Sequence, residues 1–297
     1  GTDTLKIAQG SSATTIADGA ALSLADTSQQ TWSGSNKVTM SQMEDIDASG
    51  QLNTAVGLTL TGSTATNSLK GGSGDDTIIG GAGADTIDGG VGTGDIVSYA
   101  DVTAASAAQH GIANADIKGV AVNLSASAVA GSTMNTALSG TVYLGGGADA
   151  TSHGTDLAAG KAGYIVAGGD DAGGDVLDTI SNIEGVIGSA RNDYIALGAG
   201  GMSATAGDGS DVVVGGAGDD TVIGGAGADT LDGAGGTGDI LSYADVTAAS
   251  AAQHGIADAG ILGMFVNVSG SGVTRATMNT AMQAAGADNY HTASDAD

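Results

Sequence analysis

Single aliphatic residues recur every nine positions in two parts of the chain, with glycine, aspartate and small polar residues between them. An aliphatic residue flanked by polar or small neighbours is typical of a short strand that buries one side chain and exposes the next. The pattern predicts two stacks of very short strands. The residues expected to point inward are Ile78, Ile87 and Ile96 in the first part and Val213, Val222, Leu231 and Ile240 in the second.

Each nine-residue unit reads G-G-x-G-x-D-x-U-x, where U is a large aliphatic residue. The first six residues predict a tight turn because glycine accepts positive φ and lets another backbone come close, and the last three predict a strand. Two units complete one coil, so turns on the same side recur every second unit. The units are 71–79, 80–88 and 89–97, the last with one extra residue, then 206–214, 215–223, 224–232 and 233–241.

A much longer repeat contains these units. Residues 98–113 are identical to residues 242–257, an offset of 242 − 98 = 144 positions. A weaker match joins 39–45 to 179–185 at an offset of 140. The second copy stops at Asp297, which corresponds to His153 in the first. We therefore expect either a piece of a longer array or degenerate terminal copies that act as caps.

The repeats divide the chain into five predicted segments. Residues 1–61 are degenerate solenoid repeats or a cap, 62–97 and 188–241 are the two glycine–aspartate blocks, 98–187 is an insert, and 242–297 is a truncated second copy of that insert.

The insert has its own predicted elements. Its alanine-rich start, within 98–111, predicts a short helix with Asp101 or Thr103 as the N-cap and Gly111 as the stop. Residues 119–124 alternate like a strand and are expected to resume the stack.

Composition limits the possible partners. Seven Lys and Arg against 33 Asp and Glu give a net charge of −26, so the chain has no basic surface for nucleic acid or an anionic membrane. No apolar run reaches the roughly 18 residues that span a bilayer, so membrane insertion is not expected. The absence of cysteine removes disulfides and zinc–thiolate sites. Carboxylate oxygens favour hard cations such as calcium.

Motifs for catalysis are missing from the sequence. It contains no HExxH, no GxSxG and no phosphate-binding loop. We therefore expect a protein that is not an enzyme.

The nonapeptide resembles the calcium-binding repeat of the RTX (repeats-in-toxin) family. This resemblance implies an all-β fold, a parallel β-roll or β-solenoid with calcium in the turns and short helices only in the inserts between blocks. It also implies that loop carbonyls and the sixth-position Asp of two stacked turns supply the oxygens of each ion. On this basis we expect roughly four to six calcium ions.

The phase of the units predicts which side chains share an ion. In the first block, the predicted pairs are Asp76 with Asp95 and Asp85 with Asn67. In the second block, they are Asp220 with Asp239 and Asp211 with Asp229, and Asp193 extends the latter pair by one turn. No site is expected at Met202. The expected metal-binding residues are Asn67, Gly72, Gly74, Asp76, Gly81, Gly83, Asp85, Gly90, Gly92, Asp95, Asp193, Asp208, Asp211, Gly216, Gly218, Asp220, Gly225, Gly227, Asp229, Gly236 and Asp239.

The sequence leaves two alternatives to calcium sites open. One is a flexible glycine-rich linker with solvated acidic residues, but linkers do not keep a nine-residue phase. The other is a solenoid with empty turns, in which stacked aspartates would repel each other.

The resemblance further implies an exported bacterial protein that meets calcium outside the cell, usually through type I secretion. We favour a surface-layer-like structural protein at the cell surface, self-associating into a lattice or array. Two alternatives are a spacer of an RTX adhesin and the secretion and folding module of a type I secreted hydrolase or toxin.

Overall fold

A computed structural model describes residues 2–8, 20–26, 29–33, 36–39, 43–51, 57–102, 117–138, 143–144, 156–166 and 177–242. The chain divides into two compact units, Gly1–Ser242 and Tyr243–Asp297. All described residues lie in the first unit.

The described residues form short strands and one short helix. The strands are β1 Thr4–Ala8, β2 Ala20–Ser23, β3 Gln29–Ser33, β4 Asn36–Thr39, β5 Asp45–Gly50, β6 Leu58–Thr61, β7 Ser68–Lys70, β8 Thr77–Ile79, β9 Thr86–Asp88, β10 Ile96–Ser98, β11 Ile117–Asn123, β12 Tyr143–Leu144, β13 Lys161–Val166, β14 Leu177–Ser181, β15 Gly185–Ile187, β16 Tyr194–Ala196, β17 Ser203–Asp208, β18 Val212–Val214, β19 Thr221–Ala226, β20 Thr230–Asp232 and β21 Ile240–Leu241. The helix, α1, is Gly131–Ala137, and within the described ranges no helix is long and apolar enough to cross a membrane.

Successive strands of the two blocks alternate between two sheets, so the chain winds as a solenoid. The first sheet has the order β1-β5-β7-β9-β14-β13-β11-β16-β18-β20, with β12 beside β13, and the second has the order β2-β6-β8-β10-β15-β17-β19-β21. Neighbouring strands are parallel, except where β13 meets β11, β12 and β14. The separate pair β3-β4 is antiparallel. The predicted all-β parallel β-roll is confirmed.

The core of the roll is a column of aliphatic side chains between the two sheets. Equivalent residues stack coil upon coil, with Leu60 beside Ile78 in one sheet and Leu69 beside Ile87 in the other. All four are fully buried. Each strand buries its central residue because side chains alternate between the two faces of a strand, which is the reason for one aliphatic residue per unit.

In the units that carry an extra residue, 89–97 and 233–241, the predicted inward position was wrong by one residue. Ile96 is only half-buried, whereas Val97 is fully buried and stacks on Ile78. The extra residue lengthens the turn, so Asp95 comes one position later and the strand starts one residue later. The same shift places Leu241, not Ile240, beside Val222.

The insert contributes strands to one sheet only. Strands β11 and β13 lie between β14 and β16 in the first sheet, whereas β10, β15 and β17 are direct neighbours in the second. Strands β14 and β15 belong to the predicted insert 98–187, yet they pair with β9 and β10 of the first block. The first sheet is therefore two strands wider than the second at this point.

Strand β11 is buried on both faces, which explains its continuous apolar sequence. Val120 and Val122 face the column between the sheets. Ala121 belongs to a second apolar cluster with Met134 of α1 and Leu157. The strand predicted at 119–124 is thus present. Of the helix predicted within 98–111, residues 103–111 lie outside the described residues.

Replacing Val97 tests the corrected phase. Val97→Ala should lower the free energy of unfolding by about 2 kcal/mol, because it leaves a cavity in the column. Ile96→Ala, the matched neighbour, should cost about 1 kcal/mol or less. Denaturant unfolding at saturating calcium measures both. A larger loss for Ile96→Ala would contradict the phase.

Candidate metal centre

The sixth-position side chains of the turns form a hydrogen-bonded ladder along each side of the roll. In each rung, a carboxylate Oδ1 accepts the backbone N–H of the equivalent residue one coil earlier. Every pair predicted from the sequence thus lies in adjacent turns. The donor–acceptor pairs are Asn67 to Asp85 at 2.8 Å, Asp76 to Asp95 at 2.7 Å, Asp193 to Asp211 at 2.8 Å, Asp211 to Asp229 at 3.0 Å and Asp220 to Asp239 at 3.0 Å.

Met202 occupies a ladder position without a carboxylate. Its backbone N–H donates to Asp220 Oδ1 at 2.8 Å, while its sulfur lies 2.9 Å from the backbone nitrogen of Gly198. It therefore continues the backbone pattern but brings no oxygen ligand, as its side chain predicts.

Most ladder carboxylates are withdrawn from water. The exposed fraction is at most 1% for Asp85, Asp95 and Asp211, whereas Asp239 and Asp208 are exposed. Among the described side chains, the buried oxygens without a hydrogen-bond partner are Asp85 Oδ2, Asp95 Oδ2 and Asp211 Oδ2. A buried charged oxygen with no partner is costly, so each of these atoms fits a bound cation.

Burial also raises the pKa values of these carboxyl groups. It raises the pKa of Asp85 to about 8, with the charge of Asp178 acting in the same direction. Burial likewise raises the pKa of Asp211 to about 8 and that of Asp95 to about 7. Without a nearby positive charge the turns favour neutral carboxylic acids, and a cation reverses that preference.

Glycine leaves room for a cation beside these oxygens. A Cβ atom on Gly92 would lie 2.7 Å from Asp95 Oδ2 and 2.8 Å from the carbonyl oxygen of Gly74. A carboxylate of one turn and a carbonyl of the preceding turn thus converge on a recess that any other side chain would fill.

The other glycines predicted to bind metal fall into two groups by backbone conformation. Positive φ does not occur at Gly72, Gly74, Gly216 and Gly218. Those with positive φ are Gly81, Gly83, Gly90, Gly225, Gly227 and Gly236.

The donor set fits calcium. In the part of the chain that the structure describes, no three His, Cys, Asp or Glu side chains come together in a metal-binding group. A cation here must therefore combine one or two carboxylates with backbone carbonyls. Such all-oxygen sets of six to eight ligands are what calcium prefers. Asp85, Asp95 and Asp211 are the side chains that would hold it.

Two ladder residues outside the glycine turns were missed from the sequence. Asp178 Oδ1 accepts the N–H of Asp85 at 2.9 Å, and Glu184 Oε2 accepts that of Asp95 at 3.0 Å. Asp178 also accepts the Tyr99 hydroxyl at 2.9 Å, and burial raises its pKa to about 7. The sequence feature that could have identified Asp178 is an acidic residue two positions before an aliphatic one, in Asp178-Thr179-Ile180. The glycines that precede the aspartate in a full turn are missing there.

The weak repeat at an offset of 140 has a structural counterpart. Glu44 Oε2 accepts the N–H of Asp3 at 2.7 Å, as Glu184 does for Asp95. The backbone N–H groups of Glu44 and Glu184 in turn donate to the carbonyls of Asp3 and Asp95. The chain thus uses the same Asp–Glu contact at both places.

These observations define a class of protein, the parallel β-roll with aspartate–glycine turns that are built for calcium. A family model for the RTX calcium-binding nonapeptide repeat (4 copies) matches residues 61–96 and 205–240. Both blocks therefore consist of RTX calcium-binding repeats. The comparison with curated proteins found no match.

Substitution of Gly92 tests the recess. Gly92→Ala should raise the calcium concentration at the folding midpoint at least about tenfold, because the methyl group fills the space between two ligand oxygens. The control is Gly94→Ala, where the nearest atoms, 3.1 Å away, belong to the exposed side chain of Asp75, which can move. It should shift the midpoint by about twofold or less. Equal shifts, measured by circular dichroism, would contradict the recess.

Lowering the pH should affect the folding of the roll differently with and without calcium. In chelator, the folded-state pKa values of Asp85 and Asp211 lie above the ordinary value of 3.8, at about 8. Their protonation therefore stabilises the roll at low pH, and this stability is lost as pH rises through about 8. Lowering pH from about 8 to about 5 should increase the β-signal in chelator. In millimolar calcium the same change should not increase it, because protons compete with the ion. Parallel trends would contradict this account.

Proposed function

We propose that this chain is a calcium-binding structural module of an exported bacterial cell-surface protein, similar to a surface-layer subunit, that folds and assembles on extracellular calcium. The observation that carries the proposal is the set of buried carboxylate oxygens without a partner, at Asp85, Asp95 and Asp211. Calcium binding by RTX repeats and their occurrence in exported proteins follow from the family.

The strength of extracellular calcium sites supports a folding switch. With calcium at about 1 mM and dissociation constants of about 0.1 mM, each site adds about 1.4 kcal/mol to stability. About four or five sites would add about 6–7 kcal/mol, comparable with the stability of a whole domain. At cytosolic calcium the same sites add almost nothing, so the module would fold after export.

The net charge and the long internal repeat of the chain support the proposal that copies of the protein assemble into an array. A net charge of −26 makes copies repel each other unless cations intervene. The 144-residue repeat is what a wall or stalk built from modules needs. A non-catalytic role agrees with a sequence that contains no HExxH, no GxSxG and no phosphate-binding loop.

The same long repeat also suits a spacer in an RTX adhesin, which we keep as the second candidate. The secretion and folding module of a type I secreted hydrolase or toxin would in addition require a catalytic domain.

The folding switch is tested by circular dichroism of the purified chain in chelator and in millimolar calcium. We expect little β-signal in chelator and a cooperative gain with calcium. Equal β-signal in both conditions would refute the switch. Magnesium at the same concentration is the control, because it demands a stricter octahedral geometry.

Electron microscopy of the calcium-loaded chain separates the two candidates. Ordered sheets or filaments that dissolve in chelator would support the surface-layer-like function. Isolated rods at all protein concentrations would favour the adhesin spacer.

A further inference from the structure

Two turns of the roll have the same sequence but different surroundings. Residues 80–85 and 224–229 both read Gly-Gly-Ala-Gly-Ala-Asp. Asp85, the last residue of the first turn, is 1% exposed, whereas its counterpart Asp229 is only half-buried. Because the two turns are identical in sequence, the difference in burial comes from what packs against each of them.

The strands that return from the insert cover the first of these turns. In β14, Asp178 Oδ1 accepts the backbone N–H of Asp85 at 2.9 Å, and the backbone N–H of Thr179 donates to the Asp85 carbonyl at 2.8 Å. In β13, the hydroxyl of Tyr164 donates to the carbonyl of Gly81 at 2.7 Å. Three hydrogen bonds therefore join the insert to this one turn, at its second glycine and at its aspartate.

Tyr99 joins this contact from the other end of the insert. It directly follows β10, where the chain leaves the roll, and its hydroxyl donates to Asp178 Oδ2 at 2.9 Å. Asp178 thus uses one oxygen for the turn and the other for Tyr99. The side chains of Tyr99, Tyr164 and Asp178 are at most 3% exposed. A hydrogen bond that is not made at such a place leaves a buried polar group without a partner, which is costly.

Strand β13 enters its sheet without the carboxylate ladder that aligns the parallel strands of the two blocks. It is antiparallel to β11 and β14, and its sequence, Lys161–Val166, contains no acidic residue. The hydroxyl of Tyr164 instead contacts the turn at Gly81, whose φ is 89°. The position of β13 therefore depends on a turn conformation that exists only in the folded block.

We infer that β13 and β14 dock on the roll only when turn 80–85 is folded around its cation, so that calcium in this one turn controls whether the insert is closed. Asp178 and Tyr164 contact the folded turn, and Tyr99 is a positioning residue for Asp178. The inference rests on the proposed calcium-dependent folding and adds an element that responds to a single turn. Because coupling between two sites is reciprocal, docking of these strands also strengthens calcium binding at that turn.

Docking of β13 decides whether apolar surface of the insert is covered. Ile165 of β13 is 3% exposed and belongs to the second apolar cluster, together with Met134 and Leu157. When β13 leaves the sheet, the side chains of this cluster meet water. At low calcium the insert therefore presents an apolar surface that is covered once turn 80–85 has folded.

Hydrogen exchange of the full chain, read by mass spectrometry, tests the inference with calcium itself as the probe. Asp85→Asn and Asp229→Asn make the same change in two identical turns. At about 1 mM calcium, Asp85→Asn should speed exchange in β13 at least about tenfold, while β17 stays protected. Asp229→Asn should leave exchange in β13 within about twofold of the wild type. Equal acceleration of β13 in both variants, or none in Asp85→Asn, would overturn the inference.

The reciprocal effect is tested on the tyrosine side, which also covers the case in which Asp85→Asn fails to fold. Tyr99→Phe removes one hydroxyl from the contact. It should raise about fivefold the calcium concentration at which β9, the strand after the turn, becomes protected, while the midpoint for β17 shifts by less than about twofold. An unchanged midpoint for β9, or an equal shift for β17, would contradict the coupling.

Tyr194→Phe is the matched control for the loss of a hydroxyl. Tyr194 lies in β16 and packs in the second apolar cluster, at a different part of the contact between insert and roll. This variant should shift the midpoint for β9 by less than about twofold. A shift as large as that of Tyr99→Phe would show a general loss of stability and overturn the inference. If β17 of the wild type gains no protection from calcium, the proposed function fails; if β17 gains protection and β13 does not, only this inference fails.

Discussion

The hydrogen bond from a turn N–H to the carboxylate one coil later aligns the successive coils of this roll. It fixes the register between turns, and the register places each aliphatic side chain on the one before it, as with Leu69 on Ile87. Very short strands have little cohesion of their own, so the turns must supply the alignment. The same bond draws the carboxylate into the turn and away from water, as at Asp85.

This arrangement gives the fold an electrostatic problem that a cation solves. A side chain that organises the stack when charged is also costly to bury when charged. The conflict is sharpest where one oxygen has no partner, at Asp95 and Asp211. Calcium supplies the missing positive charge and draws on carbonyls that the glycines leave accessible. Binding of a cation at these oxygens would therefore stabilise the folded roll.

The insert shows that the ladder tolerates interruption. Between Asp95 and Glu184 the chain leaves the roll, adds β11 and β13 to one sheet, covers their outer face with Met134 and Leu157, and returns in register. The acidic residue at the point of return restores the rung. A second apolar cluster offsets the cost of burying strand β11 on both faces.

The coil, its nine-residue phase and the aspartates in the turns follow from the sequence alone, because they depend on local geometry that every unit repeats. Other features depend on contacts between coils and emerge only in the folded chain. These contacts move the inward position from Ile96 to Val97 and recruit Asp178 and Glu184 without any glycine turn. Turns 71–76 and 80–85 share one motif but belong to different stacks, Asp76 with Asp95 and Asp85 with Asn67. Which neighbours a turn meets depends on how the coils stack, and no single unit of the sequence carries that information.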